Sequence, residues 1–231
     1  MAGSDPCENQ MKIHTDCEQG DLNWMKKHIG LPTASGLDQL LDTKFALRTG
    51  EMPKTYLYKK LAEAYHGKPL LDLDGRGSST IGWSAEQGMI LEEEARPAFS
   101  FETGKTLKKV GFITTDDGLF GCSPDGLIID NKGKPLSGIE IKSPAPHTHV
   151  KYLIGGVLPN DYLAQVHGSM FATGFKSWTF FSYRRSFPPF IIEVGRDEEI
   201  IAKIKLAIDK FHADFNEAKK KLMSIDVGEL K

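Results

Sequence analysis

Residues 119–142 read LFGCSPDGLIIDNKGKPLSGIEIK, and the spacing of apolar residues and turn formers in this stretch decides the fold class. Leu119 to Cys122 is a short apolar run that reads as a strand, and Gly126 to Ile129 reads as its continuation beyond Ser123-Pro124-Asp125. Asn131-Lys132-Gly133-Lys134 is a turn, and Ser137 to Lys142 forms the next strand. Upstream, Val110 to Ile113 is a strand that returns through Asp116-Asp117-Gly118, a turn of hairpin type. Downstream, Trp178 to Tyr183, dense in aromatics, and Phe190 to Val194 read as two more strands.

Helical periodicity brackets this meander. Leu22 to Lys27 lies in a short helix capped by Asp21 or a neighbour. Thr33-Ala34-Ser35 opens another that runs to about Leu41, with Ser35 as its N-cap. Pro53 begins a third, with an apolar stripe of Leu57, Leu61 and Ala64 and a stop at Gly67. Residues 68–82, rich in Gly, Pro and Ser, read as a loop. A fourth helix spans roughly Ala85 to Phe99, bent or ended by Pro97, and a fifth spans Tyr162 to Ala172. Ile200, Ile204, Ile208, Phe211, Phe215, Ala218 and Leu222 recur every three or four residues and mark the last helix. Lys219-Lys220-Lys221 in its last turn reads as a solvated end that suits the helix dipole. The order predicts an α/β (mixed α+β) fold, a central mixed β-sheet flanked by helices. No linker divides residues 1–231, which are read as one domain with a loose or extended segment at 1–17.

Composition excludes several classes. The 231 residues are 40% hydrophobic and 26% charged, ordinary values for a globular chain. Lysine and arginine number 29 against 31 acids, a net of −2, which argues against a protein that coats nucleic acid by bulk charge. No stretch approaches the roughly 18 apolar residues of a membrane span, and the first residues lack a basic start followed by an apolar run. Cys7, Cys17 and Cys122 are too few and too odd for a disulfide framework and fit a reducing cytosol. His147 and His149 form an isolated H-x-H in a Pro-rich stretch, which reads as a solvated turn.

The chemistry concentrates in two pieces of the opening stretch. Side chains alternate along a strand, so Glu140 and Lys142 share one face while Ile141 points into the core. An acid and an amine at the end of a buried strand need a compensating partner, because burying either charge alone is costly. A divalent metal supplies one. Asp125 and Glu140 are hard oxygen donors for Mg²⁺, which takes one or two carboxylates and keeps several waters, and the Ile141 carbonyl adds another oxygen. Lys142 would then orient or deprotonate a water for phosphodiester hydrolysis.

Pro124-Asp125 followed by Glu140-Ile141-Lys142 matches the Pro-Asp…(Asp/Glu)-X-Lys nuclease signature. Four further landmarks sharpen it: Glu18-Gln19-Gly20-Asp21 with Trp24, Gly30 and Thr33-Ala34-Ser35; Gly88 with Glu92 and Ala95-Arg96; Ser123-Pro124-Asp125-Gly126; and Tyr162 with Gln165-Val166. Together they resemble the phage lambda exonuclease and YqaJ viral recombinase type, whose core is restriction-endonuclease-like. The resemblance implies a Mg²⁺-dependent 5′→3′ exonuclease on double-stranded DNA ends, with Mn²⁺ as substitute, releasing mononucleotides and leaving a 3′ single strand. The rivals are a structure- or sequence-specific endonuclease on the same core and a non-catalytic DNA-end-binding recombination module. Lys142, Glu140, Asp125 and Gln165 are the implied catalytic residues. Asp125, Glu140, Ile141 and Glu92 are the implied metal set, with Glu93 and Glu94 left as a solvated face.

The family also implies a pocket for a 5′-phosphate and DNA, here Ser35, Ser123, His28, Lys27, Arg48 and Trp24. The chain departs from the pattern where the family has an arginine before Gly30. His28 stands there and lacks the guanidinium fork. The anchor is therefore weaker, pH-dependent, or supplied by Lys26, Lys27 or Arg48. A ring-shaped homotrimer, a phage-type single-strand annealing protein as partner, and a cytoplasmic location in a bacterial or phage-infected cell follow from the same resemblance. Ile81 and Trp83 are candidates for a wedge that parts the strands, with burial in the core as the alternative reading, and Lys26, Lys27, Arg48, Lys105, Lys108, Lys109, Arg184 and Arg185 would line a basic channel.

Overall fold

The computed structural model describes residues 11–69 and 83–225, with the backbone alone for residues 83–89. In chain order the elements are β1 (Lys12–His14), α1 (Leu22–Lys27), a 3-10 helix (Ala34–Gln39), α2 (Glu51–His66), α3 (Trp83–Thr103), β2 (Thr106–Lys108), β3 (Phe112–Thr114), β4 (Gly121–Cys122), β5 (Gly126–Ile129), β6 (Pro135–Lys142), α4 (Pro146–Gly155), α5 (Asn160–Thr173), β7 (Ser177–Ser182), β8 (Phe190–Gly195) and α6 (Glu198–Met223). The expected mixed α/β class holds, and the strands divide into two sheets. One is three-stranded, in the order β1-β3-β4, and the other five-stranded, in the order β2-β5-β6-β7-β8.

That division corrects the reading of Gly126–Ile129. β5 does not continue β4: β4 pairs with β3, while β5 pairs antiparallel with β6 and places Gly126 opposite Ile139. Ser123-Pro124-Asp125 is the crossing between the two sheets, since the proline fixes φ and removes the donor a continuing ladder would need. β6 is interior, antiparallel to β5 and parallel to β7. The parallel pair is joined through α4 and α5.

Alternation along β6 sorts its residues between two layers. Ile139 and Ile141 pack with Ala95 and Phe99 of α3, with Ile128 and with Phe181. Leu91, Ala95 and Phe99 are buried at four-residue spacing, so one stripe of α3 covers that face of the sheet. The opposite face of β7 carries Trp178 and Phe180 into a cluster with Tyr152, Val166 and Met170 from α4 and α5. α6 closes the third cluster: Ile204, Ala207, Ile208, Phe211 and Phe215 pack with Leu37, Leu41, Ile113, Phe120 and Leu127.

Several expectations shift. α3 runs through Pro97 to Thr103, because Pro97 lies on the exposed side where the carbonyl it leaves unbonded can be solvated. The stretch after Lys142 is a helix, not a loop: Pro146 starts α4, as proline at a first turn does. His149 is consequently fully buried; it bonds Ser182 Oγ through Nδ1 at 2.7 Å and donates to Pro188 O through Nε2 at 2.9 Å. Part of the segment read as loose is ordered, with Ile13 opposite Ile113 in the β1–β3 pair. Asp21 does cap α1, accepting from Trp24 N at 2.6 Å. Cys17 and Cys122 are buried free thiols. Residues 70–82 of the loop read at 68–82, with the wedge candidate Ile81, lie outside the described residues, as does the Trp83 side chain. Among the described residues no helix is long and apolar enough to cross a membrane.

The β6–β7 seam is the tightest contact of the sheet. Gly138 pairs with Trp178, and the indole lies where a Cβ on Gly138 would stand. Gly138→Ala is expected to lower stability by about 1–3 kcal/mol through overpacking, as measured by urea unfolding, and Gly138→Val by more.

Candidate active site

The site forms where the crossing turn meets β6. Asp125 is tied to that strand twice. Its N–H donates to Ile139 O at 3.1 Å, and its carboxylate oxygen Oδ2 accepts from Ile141 N at 2.5 Å. The turn is gripped from outside as well. Arg96 Nε donates to Asp125 O, and Gln19 Nε2 donates to Pro124 O, each at 2.9 Å. Trp24 Nε1 donates to Ser123 Oγ at 2.8 Å. Asp125 therefore has no rotational slack at either its backbone or its carboxylate.

Glu140 and Lys142 share a face, as strand alternation requires. Glu140 is only 2% exposed, and its Oε1 accepts from Lys142 Nζ at 2.5 Å and from Gln165 Nε2 at 2.7 Å. α5 brings Gln165 there, and one turn earlier it places Tyr162, whose ring centroid lies 5.5 Å from the Lys142 ammonium. Burial pushes the Asp125 carboxyl well above its ordinary range, with the nearby Glu140 and Glu92 charges adding to the effect. Burial likewise raises the Glu140 carboxyl, against the pull of Lys142. For Lys142, burial alone would lower the pKa, but the Glu140 and Asp125 carboxylates outweigh it and hold the amine above its usual range. Lys142 is accordingly a cation here.

Glu92 reaches the same place from α3. Its Oε1 accepts from Arg96 Nη2 at 2.5 Å, and the same guanidinium holds the Asp125 carbonyl. Among the described residues no three acidic, histidine or cysteine side chains close into a preformed metal cage. The donor chemistry nonetheless fits a hard divalent cation. Two carboxylates raised by burial share one ammonium, and Mg²⁺ asks for only one or two carboxylates. Ile141 buries its side chain against α3 and spends its N–H on Asp125.

Of the residues assigned to a phosphate pocket, three come together. His28 stacks on Trp24 with ring centroids 4.1 Å apart, bonds Trp24 O through Nδ1 at 2.7 Å, and meets Ser123 Oγ through Nε2 at 3.4 Å. Burial lowers the His28 pKa, so the ring is neutral near pH 7 and above. The other three make bonds of their own outside that cluster. Ser35 is not an N-cap: Thr33 precedes the 3-10 helix, and the two hydroxyls bond each other at 3.2 Å. Lys27 pairs with Asp16 at 2.9 Å. Arg48 donates through Nε to Asp38 O and Leu41 O of its own loop, at 2.7 and 3.0 Å. Of the channel cations, Lys109 and Arg185 bond Glu93 and Glu94, and Lys105 lies 3.9 Å from Glu193. Glu93 and Glu94 are thus ion-pair partners, not a bare acidic face.

The sequence reading left Arg96, Gln19 and Tyr162 without a role. The signal for Arg96 was its spacing of four from Glu92 on one helix; nothing in the sequence places its Nε on Asp125.

Solved structures share this architecture. An alkaline exonuclease, LHK-Exo, from Laribacter hongkongensis superposes with a TM-score of 0.74 at 25% identity, covering 88% of this chain and 96% of that one. The same enzyme in complex with dAMP matches equally, over 87% of this chain. A phage-related exonuclease from Haemophilus somnus, 15% identical over 83% of this chain, shares the fold with a TM-score of 0.57. Comparison with curated proteins found no match. The YqaJ-like viral recombinase domain matches residues 23–176, a span that runs from α1 through Asp125, Glu140, Lys142 and Gln165, and the chain belongs to that family.

Proposed function

We propose that this chain is a Mg²⁺-dependent exonuclease that enters double-stranded DNA at its ends, digests one strand 5′→3′ to mononucleotides and leaves a 3′ single strand. The observation that carries the reading is the Asp125, Glu140 and Lys142 constellation, two raised carboxylates converging on one buried ammonium. The likeness to an alkaline exonuclease, one of whose structures holds a nucleoside monophosphate, supports the reaction class and the size of the product.

Asp125, Glu140 and the Ile141 carbonyl would hold the cation, with Glu92 alongside. When bound, Mg²⁺ supplies Lewis-acid polarisation of the scissile phosphate and an acidified water. Lys142 orients the attacking water through its ammonium protons and offsets the charge that grows on the phosphate oxygens. Gln165 spends its amide N–H on Glu140, which leaves its carbonyl oxygen to accept a hydrogen bond from the same water. The cluster of Ser123, Trp24 and His28 supplies a neutral hydrogen-bonding surface beside Asp125, suited to the terminal phosphate of the strand being digested. A ring-shaped homotrimer, Mn²⁺ as substitute and an annealing partner rest on the family resemblance alone.

Linear duplex is expected to be degraded with Mg²⁺ and not with EDTA, while a covalently closed circle survives; nicking of the circle would mean an endonuclease, and DNA binding without hydrolysis a non-catalytic module. Lys142→Ala and Glu140→Gln should each abolish digestion with the fold intact by circular dichroism. A 5′-phosphorylated end should be digested faster than a 5′-hydroxyl end, and Ser123→Ala should shrink that advantage by about 10–100-fold, the worth of a hydrogen bond to a charged group. Equal rates on both ends would remove the cluster from end recognition.

Asp125 also links function to stability. A carboxyl whose folded pKa is raised destabilises the fold when ionised, so stability falls as pH rises from the ordinary carboxylate range through the folded value. In EDTA, Asp125→Asn should raise the unfolding midpoint at pH 8 by about 2–4 °C, the shift expected for about 1 kcal/mol at this chain length, and the gain should vanish near pH 3. Unchanged or lower melting at pH 8 would contradict the buried charge.

A further inference from the structure

We propose that Arg96 is a positioning residue that sets divalent-cation affinity at this site, by locking Glu92 and the Asp125 turn into one rigid body. The proposal rests on the metal reading given above and deepens it.

Arg96 leaves α3 with a side chain only 13% exposed and commits each terminal nitrogen of its guanidinium to a different acceptor. Nη2 holds Glu92 Oε1 at 2.5 Å, Nη1 holds Glu93 Oε1 at 2.7 Å, and Nε holds the Asp125 carbonyl oxygen at 2.9 Å. Glu93 is braced in turn by Lys109, whose Nζ donates to both of its oxygens at 2.8 and 3.0 Å. The two contacts to Glu93 and Glu92, at spacings of three and four, are the pairs that helix geometry brings together on any helix. The contact to Asp125 is different in kind. It joins a residue 29 positions away, on the turn that carries a proposed metal ligand, to the helix that carries another.

The bond pattern has a direction. Arg96 occupies one oxygen of Glu92, and no contact to the guanidinium engages Oε2. The fork therefore orients Glu92 and leaves an oxygen for a cation. Lysine cannot do the same work, since one ammonium on a flexible stem cannot span three acceptors in a plane. Without the fork, Glu92 regains its rotamers and the carbonyl side of the turn loses its outer partner. Residues that hold metal ligands in place typically account for about 10–100-fold in affinity.

The test is titration calorimetry of Mg²⁺, and separately of Mn²⁺, into the EDTA-stripped full chain. Arg96→Ala and Arg96→Lys should each bind at least about tenfold more weakly than the wild type, with unfolding midpoints in EDTA within a few degrees of it. Failure of Arg96→Lys to rescue is the signature of the fork, since charge is kept. If Arg96→Ala binds as tightly as the wild type, or more tightly because a repelling cation is gone, the proposal is overturned. Wild-type affinity in Arg96→Lys overturns it too, and this variant decides the matter if the alanine form does not fold. A wild type that binds neither cation would overturn the metal reading itself, and the proposal with it.

Discussion

The bond from the Ile141 amide to the Asp125 carboxylate is the constraint on which the site depends. It fastens the turn that leaves the small sheet to the strand at the centre of the large one, so the separation of Asp125 from Glu140 is set by backbone pairing and not by flexible side chains. β6 is hydrogen-bonded on both sides, and a layer of aromatic and aliphatic residues pins the face that carries Ile139 and Ile141. On such a strand an acid at one position and an amine two residues later must project together. The energetic consequence is a stretch of buried charge that weakens the fold and is held in place by everything around it.

How much of this could be read in the residues divides along physical lines. Alternation is a local property, so the shared face of Glu140 and Lys142 and the inward turn of Ile141 were legible. The stripe of α6 was legible for the same reason, its period repeating over seven positions. Long-range register was not. The pairing of Gly126 with Ile139, which brings Asp125 to the Ile141 amide, depends on a bulged hairpin at Ile128 and Ile129 that no spacing announces. Prolines misled in both directions. Pro146 begins a helix, Pro97 sits inside one on its wet side, and both read as breakers. β2, only Thr106-Leu107-Lys108, was too short to show a period.

The side of the site proposed to meet a DNA end is built on other physics from the side proposed for the chemistry. Near Glu140 the interactions are charge against charge in a dry setting. Around Ser123 they are neutral, an indole donor, a hydroxyl and an imidazole kept uncharged by burial. Lys27 and Arg48, two of the cations assigned to this region by position in the sequence, are spent on Asp16 and on the backbone carbonyls of Asp38 and Leu41. A net charge of −2 is consistent with the proposed reading, in which grip comes from directed hydrogen bonds and not from a broad basic surface.

The two sheets meet covalently at Ser123-Pro124-Asp125, and that junction gives the molecule a division of labour over evolutionary time. Substitutions in α1 or the 3-10 helix act on one side of the hinge, where Trp24, His28 and Ser123 lie. The strand bearing Glu140 and Lys142 is on the other, insulated by its own ladder. On the proposed reading, an exchange of arginine for histidine at position 28 alters the surface that would meet a DNA end without moving the strand that carries Glu140 and Lys142.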